Sequence, residues 1–167
     1  MWLFIFAVVV VGIGFVAFTG APYVPSKRRD IRRAFTELYA LGEKDVLVDI
    51  GSGDGVVLRE ASSKGAYAIG YELHPLLVCI SKFLSRNDDN TMIMLANFWN
   101  VEIPANTTVV YTFGDARDIQ KMYDKVAQEA TRIDHSLQFI SYGFEVPGLA
   151  PQKTVGAHHL YTVQPLH

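Results

Sequence analysis

The sequence predicts an α/β domain, a mostly parallel sheet with flanking helices, preceded by one apolar N-terminal helix. Three observations carry the prediction. Short apolar runs rich in β-branched residues alternate with stretches of helical period between residues 45 and 163. A glycine-rich turn, Gly51-Ser52-Gly53-Asp54-Gly55, stands between the first such run and a helix. Residues 1–18 contain no charged side chain at all.

The N-terminal run, MWLFIFAVVVVGIGFVAF, makes about 27 Å of helix at ~1.5 Å per residue, close to the ~30 Å hydrocarbon thickness of a bilayer. Thr19, Gly20 and Ala21 complete the span, and Pro22 and Pro25 end it. Trp2 and Tyr23 suit the two interfacial belts. Lys27, Arg28, Arg29, Arg32 and Arg33 follow the span, so the positive-inside rule puts the rest of the chain on the cytoplasmic side or its topological equivalent. A cleaved signal peptide is the rival reading. It lacks a basic region before the apolar run and a clear small-x-small cleavage site. The expected organisation is a single-pass anchor over 1–21 and one domain over 22–167.

Composition narrows the function. The chain has 167 residues, 50% of them hydrophobic and 19% charged, which excludes disorder as its main state. Cys79 is the single cysteine, so there is neither a disulfide framework nor a cysteine-based zinc site. A formal charge of −2 argues against a general nucleic-acid binder. His158 and His159 are adjacent, and on a strand they face opposite ways, so no metal site is expected from them.

Within the domain, Ser26 is expected to cap a helix to about Leu41, with Ile31, Ala34, Phe35, Leu38 and Tyr39 on its apolar stripe and Gly42 at its stop. Asp45–Ile50 reads as a buried parallel strand. A helix over 56–64 and a strand over 66–71 follow, the strand ending at Glu72. Pro75 opens the next helix, and Leu76, Leu77, Ile80, Phe83 and Leu84 are expected to supply its apolar face, with Cys79 in the core. Further strands are expected over 91–96, 107–113, 136–142 and 158–163. Asp115 is expected to cap a helix with Ile119, Met122, Tyr123, Val126 and Ala130 on one side. Alternation of this kind implies right-handed crossovers and a Rossmann-like sheet.

The turn at 51–55 carries the chemistry. Its glycines allow a tight turn and close approach of backbone N–H groups to a ligand beyond the carboxyl ends of the strands. Glu72 ends the next strand, where an acid accepts hydrogen bonds from both hydroxyls of a ribose. Two cofactor classes share this plan. The dinucleotide fingerprint is G-x-G-x-x-G, and here Val56 occupies its third glycine position. Asp49, on the strand before the loop, suits the charged amino group and sulfonium of S-adenosylmethionine, which has no pyrophosphate to hold. The pattern therefore favours S-adenosylmethionine over a nicotinamide dinucleotide.

VLVDIGSGDG at 46–55 with GYELHP at 70–75 resembles the seven-strand, class I methyltransferases. With the N-terminal apolar run and the Pro22-Tyr23-Val24-Pro25 element, the chain is more narrowly similar to the membrane-anchored lysine methyltransferases of the adenine nucleotide translocase and the ATP synthase c subunit, and to their prokaryotic relatives. The likeness covers most of residues 20–115 and weakens toward the C-terminus. It implies that Asp49, Gly51 and Gly53, with Ser52 and Gly55 in the same loop, line the methionine end of S-adenosylmethionine. It implies that Glu72 holds the ribose, that Asn97 and Phe98 meet the adenine, and that residues 22–25 fold over the cofactor as a lid. The family often has an acid where this chain has Asn97. The implied activity is protein-lysine N-methylation of a membrane protein.

The acceptor side falls after the fourth strand, at Tyr111-Thr112-Phe113-Gly114-Asp115. Asn-Pro-Pro-Tyr, the mark of methyltransferases acting on adenine or glutamine amides, is absent there. Tyr111 and Asp115 are the weak catalytic candidates; core packing and a helix cap are their plainer roles. A base is not obligatory, because desolvation lowers the pKa of an acceptor lysine from its free value of ~10.4. A small-molecule or lipid methyltransferase, a non-catalytic S-adenosylmethionine-binding module and a small nicotinamide-dependent oxidoreductase are the alternatives.

Overall fold

The computed structural model describes residues 27–166. The expected anchor over 1–21 and the 22–25 lid lie outside the described residues. Among the described residues no helix is long and apolar enough to cross a membrane.

Seven strands form one sheet in the order β3-β2-β1-β4-β5-β7-β6. In chain order these are β1 (Val46–Ile50), β2 (Tyr67–Glu72), β3 (Thr91–Leu95), β4 (Val109–Phe113), β5 (Leu137–Tyr142), β6 (Lys153–Val155) and β7 (His158–Val163). The first five pair in parallel, and β7 runs antiparallel to both β5 and β6. The helices are α1 (Arg28–Arg33), α2 (Val56–Ser62), α3 (Pro75–Leu84) and α4 (Ile119–Ile133). The strand order reverses between β1 and β4, and open parallel sheets bind ligands in the crevice at such a reversal.

Two apolar layers sandwich the sheet. On one face Ile31, Phe35 and Leu38 pack with Leu58 and Ala61 of α2 against Leu47, Tyr111 and Ile140. On the other, Val126 and Ala130 of α4 pack against Val48, Val110, Phe139 and Tyr161. Alternate residues of each strand serve alternate layers, as the period of two requires.

Four expectations need correction. The first helix does not continue in α form to Leu41. It ends at Arg33 and widens into a π-helical turn over Ala34–Leu38, which lets Ala34, Phe35 and Leu38 all reach the core. Asp115 does not cap α4. Residue 118 is the capping position, and Asp118 makes no side-chain cap bond. Short strand β6 has no legible periodicity and was not expected. The fourth concerns Cys79 on α3, a helix whose apolar face turns outward. Val78 and Ser81 are its buried residues, while Leu76, Ile80, Phe83 and Leu84 face solvent. Cys79, expected in the core, is exposed.

Candidate functional site

The loop leaving β1 owes its shape to three glycines with left-handed backbone, Gly51 (φ +73°), Gly53 (φ +55°) and Gly55 (φ +78°). Gly51 and Ser52 donate their N–H groups to the Tyr71 carbonyl at 2.9 and 3.2 Å, which fastens the loop to the end of β2. Two close approaches complete the seating. A Cβ at Gly55 would collide with Ser81 Oγ of α3. A Cβ at Gly70 of β2 would stand 2.5 Å from Ser52 Oγ.

Glu72 closes the loop from the neighbouring strand. Its Oε2 accepts the Gly53 N–H at 2.9 Å, and its Oε1 accepts the His74 N–H at 2.7 Å. Each carboxylate oxygen accepts more than one hydrogen bond, so both keep capacity for ligand hydroxyls. The two amide bonds fix the plane of the carboxylate before any ligand arrives.

Asp49 is 2% exposed. Burial, then the charges of Glu72 and Asp54, push its carboxyl well above the ordinary carboxylate range. Asp54 is already committed. Its Oδ1 accepts the Val56 N–H at 3.2 Å, and Arg59 donates to its backbone carbonyl at 2.6 Å and its Oδ2 at 3.4 Å. The Asp54 carboxylate, just before the capping Gly55, thus accepts from the first amide of α2, where a phosphate would otherwise sit. Ser52 Oγ is buried without a hydrogen-bond partner. A buried carboxylate beside Glu72 and an orphan hydroxyl fit a ligand that is cationic at one end and bears ribose hydroxyls.

The rest of the expected cofactor set divides. Asn97 is exposed and accepts the Trp99 N–H at 3.1 Å, shaping the turn after β3. Phe98 is 5% exposed and packs into the core beside Tyr71, at 6.3 Å between ring centroids. Leu73 follows Glu72 and is exposed, which presents an apolar side chain at the mouth. Leu73 was not among the expected site residues; its signal is its place one residue beyond the acid that ends β2.

Neither catalytic candidate points to the crevice as a free group. Tyr111 is buried with its hydroxyl 3.0 Å from His158 Nε2 and its ring edge-on to Phe35 at 6.0 Å. Asp115 accepts the Arg117 backbone N–H at 2.9 Å and its guanidinium Nη2 at 2.8 Å. Those bonds hold its carboxyl down at about 2. One aromatic at the acceptor end, Tyr142, was not expected; it meets Phe113 of the expected acceptor segment. Ile50 is in register with Thr112, so Phe113 lies one step past the end of β1, beside the glycine loop. Phe113 pairs with Tyr142 in register and edge to face, at 5.0 Å between centroids. The predicted opposition of the histidines holds: His158 is buried, while His159 Nδ1 meets Thr154 Oγ1 at 3.1 Å.

No protein-family model matches the chain. It is 28% identical over 138 residues to proteins of Xenopus laevis and Homo sapiens named as lysine N-methyltransferases of the ATP synthase C subunit, with 81% of this chain covered. The chain spans 58% and 57% of the length of those two relatives. A protein-lysine N-methyltransferase of Saccharolobus islandicus (strain REY15A) is 25% identical, with 80% of this chain and 83% of that protein covered. Among solved structures, an RNA methyltransferase from Salinibacter ruber in complex with S-adenosyl-L-homocysteine superposes with a TM-score of 0.75 at 25% identity, covering 84% of this chain and 94% of that one. The 23S rRNA methyltransferase ErmE superposes with a TM-score of 0.56 over 72% of this chain and 48% of its own. The chain therefore has the class I methyltransferase fold, and its sequence resembles protein-lysine N-methyltransferases.

Proposed function

We propose that the protein is an S-adenosylmethionine-dependent N-methyltransferase whose acceptor is a lysine amine on a membrane protein. One observation carries the cofactor reading: the Glu72 carboxylate, fixed by the Gly53 and His74 amides beside a left-handed glycine loop. Glu72 would hold the ribose, Asp49 and the 51–53 backbone the amino-acid end, and Asn97 and Leu73 the flat base. S-adenosylmethionine supplies an electrophilic methyl group on a sulfonium. Burial first, and Glu72 and Asp54 next, raise the Asp49 carboxyl, and a positive charge in the crevice offsets both by favouring its ionised form.

The chain's own residues contribute position and dryness. In-line displacement requires the reacting atoms about 3–3.5 Å apart and aligned, and holding them so supplies much of the acceleration. Phe113 and Tyr142 form an aromatic rim on the acceptor side of the loop. Such rings attract an ammonium and exclude water, and desolvation then favours the neutral amine that attacks. Asp115, held low by its bonds to Arg117, is a poor acceptor for the proton.

The lysine reading draws support from the names of the sequence relatives and from the formal charge of −2, which gives RNA no basic footprint. Residues 1–21 are the proposed anchor, which confines the domain near acceptors at bilayer height. Tritiated-methyl labelling of membrane extracts, separated into protein, lipid and RNA fractions, tests the acceptor class. Label in protein that survives acid hydrolysis as methyl-lysine is expected. Label confined to lipid or RNA contradicts the lysine assignment.

A further inference from the structure

Helix α3 is amphipathic the wrong way round for a helix packed on a sheet. Leu76, Ile80, Phe83 and Leu84 recur at i, i+4, i+7 and i+8, a stripe about 100° wide at one turn per 3.6 residues. All four are exposed, Phe83 at 65% and Leu76 at 61%. The side chains turned inward include the polar Ser81 and, just past the helix, Ser85. Tight seating against the glycine loop explains the small inward residues, since Ser81 stands where a Cβ on Gly55 would go. It does not explain the large apolar ones outside.

The apolar surface continues round the edge of the sheet. β3 is an edge strand, and Met92, Met94 and Leu95 are exposed. Ile93 packs in the layer that includes Val78 of α3, so Met92 and Met94 project from the opposite face. Among the described residues no helix covers that face, because the β3–β4 connection carries only a 3-10 turn, Phe98–Asn100, where a doubly wound sheet would place a helix. An edge strand free of charge and proline is normally covered.

We propose that α3 and the β3 edge form a surface that enters the headgroup–acyl boundary of a phospholipid bilayer. Three features select a bilayer over a protein partner. The apolar residues lie on both faces of one sheet edge and on a convex helix, which a fluid apolar phase covers without a complementary groove. Cys79, Lys82 and Arg86 recur at i, i+3 and i+7 along one flank, and the Arg86 guanidinium lies 4.6 Å over the Phe83 ring. Cations there meet anionic headgroups, while Asp88 is turned inward to Ser62 Oγ at 2.7 Å and Asp89 alone of that turn's acids is exposed. The chain also begins with 18 residues lacking any charge, which would hold this surface close to a membrane. The proposal rests on the membrane-bound reading above and adds that the domain lies on the bilayer in a fixed orientation.

Cys79 is the single cysteine of the chain and is exposed, so the full-length protein accepts one fluorescent NBD label beside the stripe. The label is read in phosphatidylcholine vesicles containing some phosphatidylserine, with and without brominated acyl chains. A blue shift and bromolipid quenching are expected. In the Leu76→Gln/Phe83→Gln double variant, quenching falls at least about fivefold while S-adenosylmethionine affinity is unchanged. Vesicle-bound protein with an unquenched label overturns the proposal, as does failure to bind vesicles. Cys79–Cys79 crosslinking in vesicle-free detergent, lost in the double variant, overturns it in favour of a second copy. S-adenosylmethionine binding is measured on the same samples, so absent binding with quenching retained rejects the enzyme reading and leaves the surface standing.

Discussion

The Glu72 carboxylate holds the Gly53 amide at 2.9 Å across 19 residues of chain. One bond thereby ties the last residue of β2 to the middle of the glycine loop, and the loop's shape and the ribose position depend on the same side chain. Glu72 is 8% exposed, so its loss leaves buried amides without their acceptor. Glu72→Ala is expected to cost about 1–3 kcal/mol in urea unfolding. Glu72→Gln keeps one acceptor oxygen and is expected to cost less. An unchanged midpoint in Glu72→Ala would contradict the bond's structural role.

Asp49 gives stability and binding opposite signs. Its folded-state carboxyl is raised by burial first and by Glu72 and Asp54 next. An acid raised on folding costs the fold nothing below its ordinary pKa, where both states hold the proton, and destabilises it increasingly as pH rises toward the raised value. Asp49→Asn is therefore expected to stabilise the ligand-free protein at neutral pH, seen as a higher melting temperature. It is expected to weaken S-adenosylmethionine binding at least about tenfold. A variant that loses both stability and binding would mark Asp49 as a packing residue instead.

Gly55 must stay a glycine for two separable reasons. Its φ of +78° strains any L side chain, and a Cβ would collide with Ser81 Oγ. Gly55→Ala is expected to lose about 1–3 kcal/mol. Adding Ser81→Gly removes the collision and not the strain, so a partial recovery is expected in urea melts. Full recovery would place the whole cost in the collision.

His158 gives the fold an acid limit. Burial lowers its pKa from 6.5 to about 4, with His159 lowering and Asp30 raising it. A depressed folded pKa contributes stability that is complete above 6.5 and is lost as pH falls toward 4. The loss is about 3 kcal/mol by pH 4. His158→Gln keeps a polar partner for Tyr111 and removes the titration. Its stability is expected to vary less over that window than the unsubstituted protein's; equal slopes would locate the acid limit elsewhere.

The parallel half of the sheet was legible because its strands are continuous apolar runs bounded by turns, and the loop because Gly51, Gly53 and Gly55 sit between a strand and a helix. Glu72 was legible by its distance from that loop. What the sequence concealed has a common cause. Periodicity reports that α3 has an apolar stripe and not which way it faces, and the seat under the helix is too tight for anything larger than Val78 and Ser81. Asp115 looks like a cap because it precedes an amphipathic run, yet Arg117 two residues on competes for its carboxylate. Tyr111 sits at the expected acceptor segment, but its strand parity sends it to the core with Phe35 and His158. Phe113 falls in the expected acceptor segment, whereas Tyr142 is placed beside it and the loop only by the β1–β4–β5 register.

Everything proposed for the enzyme depends on the glycine loop and Glu72 binding S-adenosylmethionine. The decisive experiment is calorimetric titration of S-adenosylmethionine, and separately of a nicotinamide dinucleotide, into the full-length protein and Glu72→Ala. Micromolar binding of the methyl donor is expected, at least about tenfold weaker in the variant, with no binding of the dinucleotide. Dinucleotide binding, or methyl-donor binding indifferent to Glu72, would refute the assignment.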